Sequence, residues 1–387
     1  MHYFIFAAAA LSVSQPSSVP RRAPQPPISS TPTTAAARKL DPPLLTAYIK
    51  QAKTLDNLLL QRKRHAASFN HIHCSAFWAR AGQLRPNSAD RRAFVPAIDL
   101  TLPFVESSFG RRELAGTAHG LARAGLGQTS EAQPLWTALA TASAARLAEF
   151  TPRELSTVAW AFAKSQPRAS ATEQPAAEVQ QLFDAIAEEA PRRLSGFTPQ
   201  GLSNLAWAYA STGRAPPKLF SALAAHAAER ADDLNCQEIA NLGWAFAAVA
   251  RPAPALFGAL AAAARPRLSA ATLDGFATRE LAMLGWAFAV VDDAEAGEVL
   301  FGGDSPFARE CEAALGAMDA AAWHARVGSV TQLHQWHLWR LERGGAWPGF
   351  SASFAARVRS AFFAEAEGPR FFFRGRGTQM IDNRKSK

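Results

Sequence analysis

The chain has 387 residues, 48% of them hydrophobic, which is long and apolar enough to bury a core of its own. Its three cysteines, Cys74, Cys236 and Cys311, lie far apart with no CxxC spacing, and no run of 18 apolar residues is present; this argues against a disulfide framework and against a membrane span. The net charge of +9 is uneven: residues 1–100 hold 13 Lys/Arg against 4 Asp/Glu, residues 101–369 hold 22 against 27, and residues 370–387 hold 6 against 1. The centre of the chain is thus mildly acidic, and only local positive charge is available there for a polyanion.

Residues 1–40 contain four basic residues (Arg21, Arg22, Arg38, Lys39) and no acidic one. Phe4–Val13 reads as a short signal-type apolar run, and the hydroxyl-rich, acid-free stretch after it reads as a transit peptide. The expectation is a targeting leader, for a plastid bounded by extra membranes first and a mitochondrion second. A plain disordered tail is the alternative. Residues 41–108 are expected to form a basic helical N-terminal cap with a divergent repeat, its positive surface supplied by Arg62-Lys63-Arg64 and Arg91-Arg92.

From residue 109 to 300 one phrase recurs: FGRRELAGTAHGLARAG from Phe109, FTPRELSTVAWAFAKS from Phe150, FTPQGLSNLAWAYAST from Phe197, LNCQEIANLGWAFAAV from Leu234 and FATRELAMLGWAFAVV from Phe276. Aligned on one slot (His119, Trp160, Trp207, Trp244, Trp286), the steps are 41, 47, 37 and 42 residues. A second landmark, the apolar pair ending at Trp136, Phe183, Phe220 and Phe257, precedes the next slot by 24 residues three times and by 29 once. In the most compact units it follows its own slot by 13 residues, so the basic unit is 37 residues, with insertions near Gly125–Ser130, Arg168–Ala177 and Ser269–Gly275. Such a period predicts an all-α fold, an α-solenoid (superhelix) of about 37-residue helix–turn–helix repeats.

The first helix of each unit opens on a cap. Thr151 precedes Pro152 and Glu154, Thr198 precedes Pro199, and Asn235 precedes Glu238. The second helix is rich in alanine, as in KLFSALAAHAAERA from Lys218. Residues 301–366 are expected to be a helical C-terminal capping region, and residues 367–387 a basic tail.

On a helical wheel Leu155, Val158 and Phe162 share one side of the first helix, and the slot residue lies nearly opposite. Seven and three residues before the slot and four after it, the same stripe carries Arg112 and Arg123, then Arg153, Thr157 and Lys164, then Gln200 and Asn204, then Gln237 and Asn241, and finally Arg279. These ten residues are the candidate binding stripe. Arg and Lys suit phosphate, amides suit base edges, and rings can stack. Trp160, Trp207, Trp244 and Trp286 are read chiefly as packing between units. For the amides, exposure on a groove and ordinary helix polarity stand as equal alternatives.

Enzyme signatures of the P-loop, GxSxG, HExxH and GxGxxG types are missing from the sequence. His71, His73 and Cys74 lack the matching Cys/His pair a closed zinc site needs, and His334 with His337 reads as an amphipathic helix face. No catalytic residue, metal or cofactor is expected. Asp232-Asp233, Asp292-Asp293 and Glu188-Glu189 read as solvated charge at helix ends.

The segments from Phe150, Phe197 and Leu234 resemble the octotricopeptide-type and related heptatricopeptide-type repeats of organellar proteins of algae and other protists. The resemblance covers roughly residues 69–340, with FNHIHCSAFWARAG from Phe69 as opening unit and QLHQWHLWRLE from Gln332 as closing unit. It implies an α-solenoid that binds single-stranded organellar RNA and controls transcript stability, processing or translation, as in chloroplast translation factors of green algae. Other RNA-processing or ribosomal proteins are implied as further partners. Many members end in a RAP domain. SASFAARVRSAFFAEAEG from Ser351 resembles the helix leading into one, but the sequence then departs from it. A protein–protein scaffold using the same groove, favoured by the acidic centre, is the alternative function, and RNA cleavage ranks last.

Overall fold

The computed structural model describes residues 40–366 apart from 128, 167–175, 269–274, 317 and 345–346. The expected leader, the tail from residue 367 and most of two expected insertions lie outside the described residues. Within them the chain is all helical, with 18 α-helices, short 3-10 turns and no strand.

The helices form two rows. The first row runs α1 (Pro42–Gln51), α3 (His71–Leu84), α5 (Arg111–Arg123), α7 (Pro152–Ser165), α9 (Pro199–Ser211), α11 (Cys236–Ala248) and α13 (Thr278–Val291), each packed on the next. The second runs α4 (Val95–Ser107), α6 (Gln133–Ala145), α8 (Ala177–Glu189), α10 (Pro217–Glu229), α12 (Pro254–Ala264) and α14 (Ala294–Phe301). α2 (Leu55–His65) sits between α1 and α3. Helices touch their sequence neighbours and the helix two places on, which is the contact pattern of an α-solenoid. After α13 the order changes. The first row passes to α17 (Val327–Glu342), which carries α18 (Ala352–Ala366), while α15 (Phe307–Gly316) and the short α16 (Ala320–His324) intervene. A division at residue 300 therefore cuts the last turn of α14.

Local chemistry accounts for the helix ends. The Thr151 hydroxyl accepts from the Glu154 N–H (3.3 Å) while a Glu154 carboxylate oxygen accepts from the Thr151 N–H (2.9 Å), a complete capping box. Asn235 and Glu238 repeat it, and Thr198 caps through the Gly201 N–H alone (3.1 Å). At the other end, the sixth residue after the slot turns left-handed in α5 (Gly125), α9 (Gly213), α11 (Ala250) and α13 (Asp292), with φ of 72°, 71°, 50° and 58°. The following N–H bonds back to a carbonyl five residues earlier: Leu126 to Leu121, Arg214 to Tyr209 and Arg251 to Phe246. These are Schellman closures, which end the helix and turn the chain toward the second row.

Between the rows the apolar landmarks meet. Trp136 packs edge-to-face on Phe162, Phe183 on Tyr209, Phe220 on Phe246 and Phe257 on Phe288, with ring centroids 4.9–5.2 Å apart. Each pair joins a second-row helix to the next first-row helix, so the core is a series of equivalent aromatic joints. Close first-row approach depends on small residues: a Cβ on Gly120 would lie 2.3 Å from the Trp78 carbonyl oxygen, so α5 meets α3 there backbone to backbone.

Candidate functional site

The slot residues stand in line along the first row. The His119 ring lies 5.3 Å from Trp160, Trp160 lies 6.5 Å from Trp207, and Trp244 lies 6.5 Å from Trp286, with interplanar angles between 33° and 41°. His119, Trp160, Trp207 and Trp244 are half-buried; Trp286 is buried. At these three steps the expected packing between units is present as ring-on-ring contact, and in four of the five slots part of the ring surface also remains open.

The stripe flanks this ladder. Arg112, Arg153, Gln200, Gln237 and Arg279 are exposed, as are Arg123 and Lys164, while Thr157, Asn204 and Asn241 are half-buried beside the rings. Thr157 spends its hydroxyl on the Arg153 carbonyl, one turn back (2.7 Å). The other nine side chains form no hydrogen bond or ion pair among the described residues. The structure thus brings the candidates of α5, α7, α9 and α11 to one surface. In α13 it does so less well: Met283 and Trp286 are buried, and Arg279 is exposed without an ion-pair partner among the described residues.

Burial, and then the charge of Arg123 one turn away, lower the pKa of His119 below the usual histidine value. His119 is therefore neutral at pH 7, and the positive charge at this end of the ladder belongs to Arg112 and Arg123.

A second set of arginines is fully engaged. Arg146 donates to the Phe109 carbonyl, Arg193 to that of Phe150 (2.8 Å), Arg230 to that of Phe197 (2.9 Å) and Arg267 to that of Leu234. Each arginine follows the second helix of a unit and ties back to the residue that opens that unit's first helix. Arg193 and Arg267 add a bond to a carbonyl two residues before it. Reading the stripe alone misses these staples, although three of them stand four residues before the next opening residue: Arg146 before Phe150, Arg193 before Phe197 and Arg230 before Leu234. The contrast sorts the cations: staple arginines hold the fold, and stripe cations are exposed with no bonded partner among the described residues.

One carboxylate of each acidic pair is held in an ion pair, while Asp233 and Asp292 stay exposed as expected. Asp292 accepts from Trp339 Nε1 (2.6 Å) and pairs with Arg343, fastening the end of α13 to α17. Burial works to raise its pKa, but these hydrogen bonds and the Arg343 charge outweigh it and leave it below the ordinary aspartate value. Glu189 pairs with Arg193 (2.5 Å), and Asp233 with Arg230 (3.1 Å).

Three of the histidines singled out in the sequence make structural contacts. His73 Nδ1 accepts from the Asn70 N–H (3.1 Å), so its proton sits on Nε2, which donates to the Pro42 carbonyl (2.9 Å). His337 stacks on Phe350, and the His334 ring lies tilted at 45° against Phe362. Among the described residues no three His, Cys, Asp or Glu side chains converge as metal ligands, and no helix is long and apolar enough to cross a membrane. No protein-family model matches the chain, and no curated protein matches it either.

Proposed function

We propose that residues 109–300 are an array of about 37-residue helix–turn–helix repeats that binds single-stranded organellar RNA and acts, without catalysis, in transcript stability, processing or translation. The observation that carries this reading is the open ring ladder flanked by unengaged cations and amides. Rings supply sequence-tolerant stacking, worth ~1–3 kcal/mol per base. Arg112, Arg123, Arg153, Lys164 and Arg279 supply phosphate contacts, and the amides supply hydrogen bonds to base edges. The acid-free leader supports a plastid as the site of action, with a mitochondrion as the second destination. RNA-processing or ribosomal proteins are the further partners.

The test is crosslinking of the protein to total organellar RNA at two salt concentrations, with the bound RNA sequenced. An enriched motif that survives the higher salt supports the reading. Arg153→Ala and Lys164→Ala should each weaken binding to all RNAs alike and lower the salt slope by about 1. The excess of acid over base in residues 101–369 favours a second reading, a protein-binding scaffold on the same surface. Diffuse binding lost at higher salt, together with a stable protein partner, would establish that one.

A further inference from the structure

Two adjacent helices of the first row carry the same reading group. In α9 the stripe reads Gln200, Asn204, Trp207, and in α11 it reads Gln237, Asn241, Trp244. The other helices of the array place Arg where these have Gln, and Gly116, Thr157 or Met283 where these have Asn. The environments match as well as the identities. Both glutamines are exposed, both asparagines half-buried, and both indoles half-buried. None of the four amides is hydrogen-bonded among the described residues. The amide atoms of Asn204 and Asn241 are not sealed from solvent, so they stay open to a ligand.

Building on the RNA-binding reading above, we propose that α9 and α11 read two neighbouring adenines, one each, through Asn204 and Asn241. An asparagine amide presents a carbonyl acceptor beside an NH2 donor, the complement of the N6 amino group and N7 of adenine. One turn separates each asparagine from its tryptophan, so edge and face of one base are engaged from the same side of one helix. Identical groups in equivalent positions of adjacent helices must prefer the same base, which makes the target a doublet. The ring steps that flank the α9–α11 pair, Trp160–Trp207 and Trp244–Trp286, are 6.5 Å, about twice the ~3.4 Å rise per nucleotide of a stacked strand. A strand advancing one nucleotide per step has its bases parted and their edges free. Beyond α11 the stripe closes over, since Met283 and Trp286 are buried, and before α9 it is basic. The doublet therefore lies at the α11 end of the contact, with phosphates anchored toward α5.

The full chain is titrated by fluorescence anisotropy with 12-nucleotide oligo(A), oligo(U) and oligo(C) at one salt concentration. Oligo(A) is expected to bind tightest. Asn204→Ala and Asn241→Ala should each weaken oligo(A) by roughly 5- to 150-fold, the range of one bidentate base contact, with little effect on oligo(U) or oligo(C). Asn204→Gln, which keeps the amide, should retain the preference, and unchanged helicity by circular dichroism shows that each variant is folded. RNA binding without a preference for oligo(A), or variants that weaken all three alike, overturns the adenine doublet while leaving the RNA-binding reading intact. Failure of all three oligonucleotides to bind overturns both.

Discussion

At the scale of single residues, the arginines of this chain divide by geometry into two kinds that composition cannot separate. Arg230 donates to the Phe197 carbonyl, so Arg230→Ala leaves a backbone acceptor unmet at the mouth of a helix and breaks its pair with Asp233. A loss of about 1–3 kcal/mol in urea unfolding is expected, with any RNA binding of the folded protein unchanged. Arg153→Ala should do the opposite, leaving stability alone. Cys74 offers a pH-dependent check on packing. Burial raises its thiol pKa, a hydrogen bond with Thr101 lowers it less, and the result is about 12. The group's folded pKa lies above its unfolded value. Its contribution to stability is thus present below the ordinary thiol pKa and is lost as pH rises through the range from about 9 to 12. At pH 8 the folded protein should leave Cys74 unmodified by a maleimide, and labelling should appear only as urea unfolds the chain. Fast labelling of Cys74 in the native protein would mean that α3 is not packed against Thr101 of α4.

At the scale of helices, ends matter as much as faces. The left-handed turn six residues after the slot is glycine in α5 and α9 but alanine in α11, where Ala250 has φ of 50°. A left-handed residue with a Cβ costs roughly 1–2 kcal/mol, and glycine gives back part of this through its larger unfolded-state entropy. Ala250→Gly should therefore raise stability by up to about 1 kcal/mol, measured as a higher denaturation midpoint with the same slope. A lower midpoint would show that the Schellman closure of α11 is not formed. The N-terminal caps were legible in advance, because each depends on three or four consecutive residues, whereas closures at Ala250 and Asp292 carry no glycine to announce them. The Thr151–Glu154 and Asn235–Glu238 boxes are local in this sense. So is the sorting of Leu155, Val158 and Phe162 onto one side, which a helical period alone dictates.

At the scale of the molecule, residues 40–366 hold together through contacts between sequence neighbours and next-nearest helices. Stability in such an array is close to a sum of unit and interface terms, so units at the ends, with one neighbour, open before those in the middle. Native-state hydrogen exchange should find the slowest amides in α7, α9 and α11, and faster exchange in α1 and α2. Uniform protection from α1 to α13 would mean that the helices unfold as one cooperative block instead.

Spacing along the chain governs the helices, the caps, the recurring slot and the side of each helix that faces inward. It also placed the stripe residues of four helices on a common surface, since a fixed spacing from a fixed landmark gives the same direction each time. Which of those residues remain open depends on how distant helices pack over them. Met283 and Trp286 occupy the same slots as Asn241 and Trp244 yet are buried. Nor could periodicity show that the first row passes from α13 to α17, or that Asp292 is fastened there to Trp339 and Arg343. The staples belong to this class too, since Arg193 and Phe150 are 43 residues apart. The physical reason is the same throughout. A helical face is a property of three or four neighbouring residues, whereas exposure and pairing depend on which distant segment arrives to cover them.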